Sequence, residues 1–385
     1  MPDNHDFLPS GRSALPNSLL PTACKIIRQA NREHPADTLL RETFKRLRVF
    51  NADETRAISN TVFTYFRWRG FLNPADDTRA QVEQALNLAA QFEQDPFSLS
   101  DDDLRTKTVP DWIASEVTAD TEWFRTLQRP PNIWLRAKRG QGTVLSYKLN
   151  AEPRLLPDAL VYTDSEDLFR TPEFHAGEFE LQDISSQAVG FVCAPQPGET
   201  WWDACSGEGG KLMHLSDLME NKGLIWASDR AEWRLKHLKR RAARAKAFNY
   251  RAAPWNGGAK LPTKTKFHGV LLDAPCSGVG TWQRNPHARW TTTLNDVKEL
   301  AEVQKQLLAN AAGSLKPGGK LIYSVCTLTK SETVDVATAF EKQFPEFKPL
   351  AVSNPLKPNE QASPQVWLWP QDTGGNGMFI AAWTR

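Results

Sequence analysis

After Gln182, short apolar runs alternate with longer amphipathic segments, and this alternation constrains the fold more than any other feature of the chain. The predicted strands are ETWWDAC, GLIWASD, HGVLLDAP and KLIYSVCT, and the predicted helices are KLMHLSDLME, AEWRLKHLKRRAARAKA and TLNDVKELAEVQKQLLANAAGSL. Strands that alternate with helices of ten or more residues form βαβ units, so we expect a Rossmann-like, doubly wound α/β domain with a parallel sheet. Two last strands, QVWLWP and GMFIAAW, follow each other without a helix and are predicted to pair as an antiparallel edge hairpin.

The first half of the chain has a different pattern. Between Ser18 and Phe97, apolar residues recur at helical spacing, which predicts a small helical bundle, and the acidic stretch SLSDDD after it is interpreted as a solvated connector. Short β-like runs such as NIWLRAK and ALVYT then mix with one helical pattern, which predicts a small α+β domain. We therefore expect a helical domain at 1–109, a small α+β domain at 110–182 and a catalytic domain at 183–385.

The composition excludes several classes of protein. Five cysteines are spread widely without a C-x-x-C pair, which argues against a disulfide framework and a zinc site, so no metal is expected. The chain has no long apolar run, and its start has neither a basic nor an apolar signal region, so we expect a cytoplasmic protein. The formal net charge of +2 neither requires nor excludes a nucleic-acid partner.

A glycine-rich segment follows the first predicted strand of the catalytic domain and opens a helix. Such a loop lets the backbone approach a ligand at the carboxyl end of a parallel sheet. The next strand ends at Asp229, an acid placed to accept hydrogen bonds from ribose hydroxyls, with Arg230 beside it. Together the two features favour an adenosine-containing cofactor, but they do not choose between nicotinamide and S-adenosylmethionine.

Two cysteines follow the next two strands. Asp273-Ala274-Pro275-Cys276 comes directly after HGVLL, and Cys326 ends the strand KLIYSV. Because the carboxyl ends of consecutive parallel strands share one edge of the sheet, we expect both thiols to lie beside the glycine loop. A lone cysteine is usually a packing residue, but two at a ligand-binding edge indicate chemistry.

The catalytic segment closely resembles the bacterial 16S ribosomal RNA cytosine-5 methyltransferases and their nucleolar relatives, the Sun/Nop2 family. The resemblance rests on DACSGEGGK, ASD, LLDAPCSG, RNPHARW and YSVCTL with Glu332 following, and LQDISSQAV is similar to the segment that leads into the family's catalytic domain. The chain departs from the family at Val325, where threonine is usual, and at Glu208, where proline is common. The family's third cofactor-contacting acid has no match near RAAPWNGG, where Asn256 is the nearest polar candidate.

The resemblance implies a methyltransferase that uses S-adenosylmethionine to methylate carbon 5 of a cytosine in RNA. It implies Cys326 as the nucleophile, Cys276 as the residue that assists release, Asp273 as the contact to the cytosine edge, and Lys211 as a residue near the same centre. It also implies a cofactor site made of Asp203, Cys205, Ser206, Gly207, Glu208, Gly209, Gly210, Lys211, Asp229, Arg230, Asn256 and Asp273.

Contacts to RNA are predicted beside the catalytic loop. Arg284, Arg289 and Trp290 in RNPHARW offer guanidinium groups and an aromatic ring to a splayed base. The helical segment from Arg230 to Lys246 carries eight Lys or Arg against one Glu, so its outer face is either simply solvated or an RNA-backbone track. The helical domain at 1–109 is a possible extension of this surface.

Other functions fit the sequence less well. A DNA cytosine methyltransferase would use its Pro-Cys cysteine as the nucleophile and would need no second one, and the loop typical of methyltransferases acting on exocyclic amines is absent. A nicotinamide dehydrogenase would leave the two cysteines unexplained. Ribosomal RNA is the expected substrate, transfer RNA is the alternative, and a catalytically silent ribosome-assembly factor is the alternative from another class. We expect a monomer and no membrane partner.

Overall fold

The computed structural model describes residues 16–47 and 49–385. The described residues divide into two compact units, one formed by those up to 108 with 286–291 and the other by residues 109–285 with 292–385. The segment 286–291, expected in the catalytic domain, therefore belongs to the helical unit. Residues 110–182 form no compact unit of their own, because they cluster with the residues that follow them.

The first unit is helical in the part that the structure describes. Its long helix α3 begins with a capping box, in which the Asn51 side chain accepts from Glu54 N at 2.9 Å and Glu54 Oε2 accepts from Asn51 N at 2.9 Å. Apolar residues at helical spacing, such as Ile58, Val62 and Phe66, pack its core. The helices are α1 (Leu20–Gln29), α2 (Ala36–Leu47), α3 (Ala52–Trp68), α4 (Thr78–Gln94) and α5 (Asp101–Lys107).

Helix α5 corrects the interpretation of the acidic stretch as a connector. Ser100 caps the helix by accepting from Asp103 N at 3.1 Å. The three aspartates lie in the first turn and Lys107 in the last, an arrangement that the helix dipole favours.

The second unit begins with a small antiparallel sheet whose strand order is β2-β3-β1-β4. Its own core is made of residues such as Leu135, Leu145 and Phe179. The elements of this part are α6 (Thr121–Leu127), β1 (Ile133–Ala137), α7 (Gly142–Leu149), β2 (Ala151–Pro153), β3 (Ala159–Tyr162), α8 (Pro172–Ala176) and β4 (Phe179–Leu181).

The predicted doubly wound sheet is confirmed. Its strand order is β10-β12-β9-β8-β5-β6-β7, and β5 to β9 are parallel to their neighbours among themselves. The chain runs outward through β6 and β7 and then returns to β8 on the other side of β5, so the topological switch point lies between β5 and β8. The elements are α9 (Ile184–Cys193), β5 (Thr200–Asp203), α10 (Gly210–Leu218), β6 (Leu224–Ala227), α11 (Glu232–Arg244), β7 (Tyr250–Ala252), β8 (Phe267–Asp273), α12 (Leu294–Ala312), β9 (Leu315–Val325), α13 (Val334–Gln343), β10 (Lys348–Pro349), β11 (Gln365–Leu368), α14 (Pro370–Thr373) and β12 (Met378–Thr384).

Both faces of this sheet are covered, which explains why its strands are apolar throughout. Trp201 of β5 faces a core shared with α9, α10 and α11, and its neighbour Trp202 faces a core shared with α12 and α13. Successive side chains of a strand point to opposite faces, so one apolar run supplies both cores.

The last two strands pair as predicted but not at the edge. β11 is antiparallel to β12, while β12 also pairs antiparallel with β9 and β10, so β12 lies inside the sheet. The short helix α14 also separates the two strands, where no helix was expected. GMFIAAW is buried along nearly its whole length, as a central strand requires.

Candidate active site

The glycine-rich loop joins β5 to α10 at the switch point. Gly209 has φ +86° and a Cβ there would lie 2.8 Å from Leu238 Cγ, so both the backbone and the packing require glycine. Around Gly207 and Gly210, by contrast, an added Cβ would meet no atom within 4 Å. The loop therefore borders open space on the side where a ligand of a doubly wound sheet binds.

Asp229 fastens this loop to the end of β6. Its Oδ2 accepts from Gly207 N at 3.0 Å and its Oδ1 accepts from Ala231 N at 2.8 Å. Ser206 adds a hydrogen bond from its N to Ser228 O at 2.8 Å. A carboxylate can accept about four hydrogen bonds, so Asp229 can still accept from the hydroxyls of a ribose.

Asp203, the last residue of β5, is a buried carboxyl group with no hydrogen-bond partner for either oxygen among the described residues. It is 0% exposed. Burial and the nearby charge of Asp273 raise its pKa to about 8, against a smaller opposing effect of Lys211. An unpaired buried carboxyl at a ligand-binding edge is the kind of group that a cationic ligand would satisfy.

Asp273 and Lys211 form an ion pair beside Asp203. Lys211 Nζ lies 2.7 Å from Asp273 Oδ2, and Ser324 Oγ donates to Asp273 Oδ1 at 2.8 Å. Burial disfavours the Lys211 ammonium, but the charge of Asp273 and the hydrogen bond to it outweigh the burial and raise the Lys211 pKa. Lys211 is therefore a cation held at the ends of β5 and β8.

The two cysteines meet at the ends of β8 and β9. Cys276 Sγ and Cys326 Sγ are 3.3 Å apart, and both side chains are half-buried. The hydrogen bond with Cys326 and burial raise the Cys276 pKa well above its usual value. Cys276 therefore keeps its proton at neutral pH and can donate it toward the Cys326 sulfur.

Glu332 holds the two cysteine loops together. Its carboxylate, 0% exposed, accepts from Ser277 N at 2.8 Å, from Gln304 Nε2 at 3.0 Å and from Thr329 Oγ1 at 2.8 Å. Ser277 Oγ and Thr327 Oγ1 also donate to its Oε2. Because Ser277 follows Cys276 and Thr327 follows Cys326, this carboxylate fixes the loop that carries each thiol.

Sequence reasoning missed these hydrogen bonds to Glu332 as a part of the site. Glu332 was singled out only as part of the resemblance, and Gln304, Ser277, Ser324 and Thr327 were not predicted at all. A signal existed for Gln304, because it falls at helical spacing between Ala301 and Leu308 on the buried face of α12. A polar side chain on a buried face must have partners, which predicts a buried hydrogen-bond network.

Several expected cofactor residues lie toward the outside of this site. Arg230 and Asn256 are exposed, and Asn256 Oδ1 accepts from Gly258 N at 3.0 Å. Glu208 is half-buried and lies 3.7 Å from His237 Nδ1. Burial, followed by the charge of Asp203, raises the Cys205 pKa, so Cys205 is a packing thiol.

Of the three predicted RNA contacts, one is exposed. Arg284 is an exposed side chain, with Nη2 3.4 Å from Asp183 Oδ2. Arg289 is 0% exposed, and its Nη1 donates to Thr108 O at 2.9 Å inside the helical unit. Trp290 Nε1 donates to Phe66 O at 2.6 Å in the same unit.

These positions correct the prediction for Arg289, whereas Trp290 is half-buried and its contact to RNA stays a prediction. A guanidinium that is fully buried and bound to backbone carbonyls cannot reach a phosphate or a base. The Arg289 pKa is lowered by burial to about 9, as expected for a cation withdrawn from water. Both residues hold the segment 286–291 in the helical unit.

Two further findings concern residues 16–47 and 49–385. There, His, Cys, Asp and Glu side chains nowhere form a group of three or more that could hold a metal ion. In the same residues, no helix combines the length and the apolar character needed to cross a membrane.

Comparisons with known proteins show the family of this chain. A family model described as 16S rRNA methyltransferase RsmB/F matches residues 191–384. The probable ribosomal RNA small subunit methyltransferase B of Synechocystis is 35% identical over 218 residues, which are 54% of this chain and 48% of that protein. The protein of the same name from Bacillus subtilis is 30% identical over 295 residues, which are 71% of this chain and 65% of that protein.

The match thus spans about half to two thirds of the length of these curated relatives. The solved structure of PH0851 has a TM-score of 0.80 to this chain at 23% identity, over 97% of this chain and 100% of that one, which shows a shared fold. The family model covers half of the chain and contains the glycine loop, both cysteines and Glu332. The chain belongs to the family of 16S ribosomal RNA methyltransferases RsmB/F.

Proposed function

We propose that this protein transfers a methyl group from S-adenosylmethionine to carbon 5 of a cytosine in 16S ribosomal RNA, through a covalent bond between Cys326 and carbon 6. The observation that carries the proposal is the pair of thiols 3.3 Å apart at the ends of β8 and β9. An ion pair between Lys211 and Asp273 lies on the same edge of the sheet. Family membership supports the ribosomal RNA substrate.

The residues at the switch point fit S-adenosylmethionine. The open space beside Gly207 and Gly210 can receive the cofactor against the backbone of the loop. Asp229 would bind the ribose hydroxyls, and the unpaired carboxyl of Asp203 suits the cationic methionine end. Bound there, the cofactor supplies an electrophilic methyl group.

Cys326 would act as the nucleophile. Carbon 5 of cytosine is a poor nucleophile until a thiolate adds at carbon 6, breaks the ring conjugation and makes carbon 5 enamine-like. After methylation of carbon 5, loss of its proton and cleavage of the bond between sulfur and carbon 6 restore the aromatic ring. A thiolate suits both halves of this sequence because it adds readily and also leaves.

Asp273 and Lys211 would bind the base while charge moves through it. The Asp273 carboxylate is held by Lys211 Nζ and Ser324 Oγ, so its remaining acceptor sites can accept from the amino group of cytosine, and from N3 when that nitrogen carries a proton. Addition of the thiolate places negative charge on the ring, and the nearby Lys211 ammonium stabilises that charge.

Cys276 would assist release of the product. Its raised pKa keeps it protonated, so its S–H can donate to the Cys326 sulfur as that sulfur leaves carbon 6. Glu332 holds this donor in place through Ser277. A thiol at the edge of a sheet reaches carbon 6 only when the target base has left its stack, which favours an unpaired or looped cytosine.

The test is a methylation assay with methyl-labelled S-adenosylmethionine. Unmodified 16S ribosomal RNA, transfer RNA and DNA are incubated with the purified protein, and their nucleosides are analysed for 5-methylcytosine. We expect label in the 16S RNA only, and none with Cys326→Ala. Label in transfer RNA alone would contradict the proposal that 16S ribosomal RNA is the substrate. Label at another atom would contradict the proposal that carbon 5 of cytosine is methylated.

A matched variant separates loss of chemistry from loss of folding. Cys24→Ala removes a buried thiol from the core of the helical unit, outside the unit that carries the pair of reactive cysteines. It should retain labelling, whereas Cys326→Ala should lose it with unchanged cofactor affinity. Cofactor binding by wild type without label in any RNA would favour a catalytically silent assembly factor instead.

A further inference from the structure

The outer side of α11 and the adjoining edge strand β7 form a charged, partly aromatic surface that the reaction does not use. We define this α11–β7 surface by residues that are all exposed: Trp233, Lys236, Lys239, Arg240, Lys246, Phe248 and Arg251. Helix α11 buries Leu235, Leu238 and Ala242 against the sheet, so its remaining faces point outward. The surface begins four residues after Asp229 and extends about 20 Å along the helix.

The five cations of this surface are not neutralised by the protein. Within the described part of the chain, the ion pairs of α11 involve Arg234, His237, Arg241 and Arg244. Those four bind acids of neighbouring loops and strands, whereas none of the five cations of the surface forms an ion pair within the described part of the chain. Such a concentration of one sign of charge attracts a polyanion.

A shallow groove of about 680 Å³ runs between α11 and β7 in the middle of these charges. Trp226, Phe248 and Tyr250 contribute aromatic walls, alanines form much of the remaining lining, and Lys239 and Arg251 contribute cations. The Trp226 indole N–H has no hydrogen-bond partner among the described residues. The size and lining of the groove suit a flat aromatic group attached to an anion.

Two exposed aromatic side chains point to the same ligand. Phe248 is 71% exposed and Trp233 is 54% exposed, so much of each ring is open to a ligand. Cations that contact phosphates, together with aromatic rings on which bases stack, are the features of proteins that bind single-stranded nucleic acid. An acidic peptide would bind the cations but would gain little from the aromatic rings. A peptide that added as a strand to the sheet would find only three residues of β7 to pair with.

We propose that the α11–β7 surface binds single-stranded RNA, with phosphates at Lys239, Lys246 and Arg251 and a base in the groove beside Phe248. The inference rests on the proposed function in that the RNA would be the strand that continues from the target cytosine. It adds a second contact, separate from the thiols, that gives affinity without reading the sequence.

The experiment measures binding of a fluorescein-labelled oligouridylate, which offers no cytosine to the thiols. The charge variant combines Lys239→Gln, Lys246→Gln and Arg251→Gln. Each lost phosphate contact should lower the salt slope by about 0.7, so three should weaken binding up to about 100-fold near 0.1 M salt. Phe248→Ala should weaken binding about 5- to 150-fold through lost stacking, and should leave binding of duplex RNA unchanged.

The matched control removes three exposed lysines elsewhere in the same unit, Lys298→Gln, Lys342→Gln and Lys348→Gln. It should bind oligouridylate like wild type, and all variants should bind S-adenosylmethionine equally if they are folded. If the charge variant binds the oligomer as tightly as its control, the proposal that this surface binds RNA is overturned, even when wild type methylates RNA. A charge variant that loses affinity for polyglutamate but not for RNA also overturns it, in favour of an acidic protein partner.

The two proposals fail separately. If wild type binds oligouridylate through this surface but yields no 5-methylcytosine, the methylation proposal fails and the surface stands. If wild type forms 5-methylcytosine while the charge variant matches its control, the surface fails and the methylation proposal stands.

Discussion

The buried carboxyl of Asp203 should make the stability of this protein depend on pH. In the folded state its pKa is raised to about 8 because the group is fully buried and the charge of Asp273 lies nearby. In the unfolded chain an aspartate has a pKa of about 3.9. Between these two values the folded protein holds one proton that the unfolded protein has lost.

The sign of the effect follows from this difference. An acid whose pKa is raised by folding favours the folded state at low pH, and that contribution is lost as the pH rises through the folded pKa. One proton corresponds to about 1.4 kcal/mol per pH unit. The Asp203 contribution should therefore fall by about 3 kcal/mol between about pH 5 and about pH 7.

Asp203→Asn removes this titration and keeps the shape of the side chain. The free energy of unfolding is measured for both proteins by urea denaturation at about pH 5, 6 and 7. The wild-type value minus the variant value should become more negative by about 1.4 kcal/mol per unit. Asp164→Asn, at an exposed position, controls for the added amide. Parallel curves for wild type and Asp203→Asn would refute the reasoning.

Two other changes test the site. Glu332→Gln keeps the size of the side chain but removes the charge that binds both cysteine loops, so kcat should fall about 10- to 100-fold with unchanged cofactor affinity. Equal kcat in steady-state assays would contradict the positioning role. Gly209→Ala brings a Cβ within 2.8 Å of Leu238 Cγ at φ +86° and should lower the free energy of unfolding by about 1–3 kcal/mol. Gly210→Ala meets no atom within 4 Å and should instead weaken cofactor binding without changing the melting temperature.

The parts of the fold that depend on periodicity were predictable from the sequence. The alternation of strands and helices after Gln182 is confirmed because a parallel sheet needs covering helices and apolar strands. The position of β12 was not predictable, since an apolar run does not say which neighbour it pairs with. The acidic stretch before Lys107 was interpreted as a solvated connector, but its charges lie at the start of a helix, where they stabilise that helix.

The candidate site, like the fold, was predictable from the sequence only in part. The motifs predicted that Cys276 and Cys326 would share an edge of the sheet, and the structure brings them together. The role expected for Arg289 was wrong because a sequence shows charge but not burial. The hydrogen bonds to Glu332 join residues far apart in the chain, which local sequence patterns do not show. Only Gln304 gave a local signal of this network, because it is a polar residue on a buried helix face.

The most direct test of the account asks which sulfur bonds to the base. Cys276→Ala should retain the Cys326 nucleophile but release the methylated RNA slowly. Incubation with S-adenosylmethionine and unmodified 16S RNA should therefore accumulate a protein–RNA adduct. After digestion with nuclease and protease, mass spectrometry should find a methylated cytosine attached to the peptide that contains Cys326. An adduct on any other residue, or a Cys326→Ala variant that still forms 5-methylcytosine, would contradict the account.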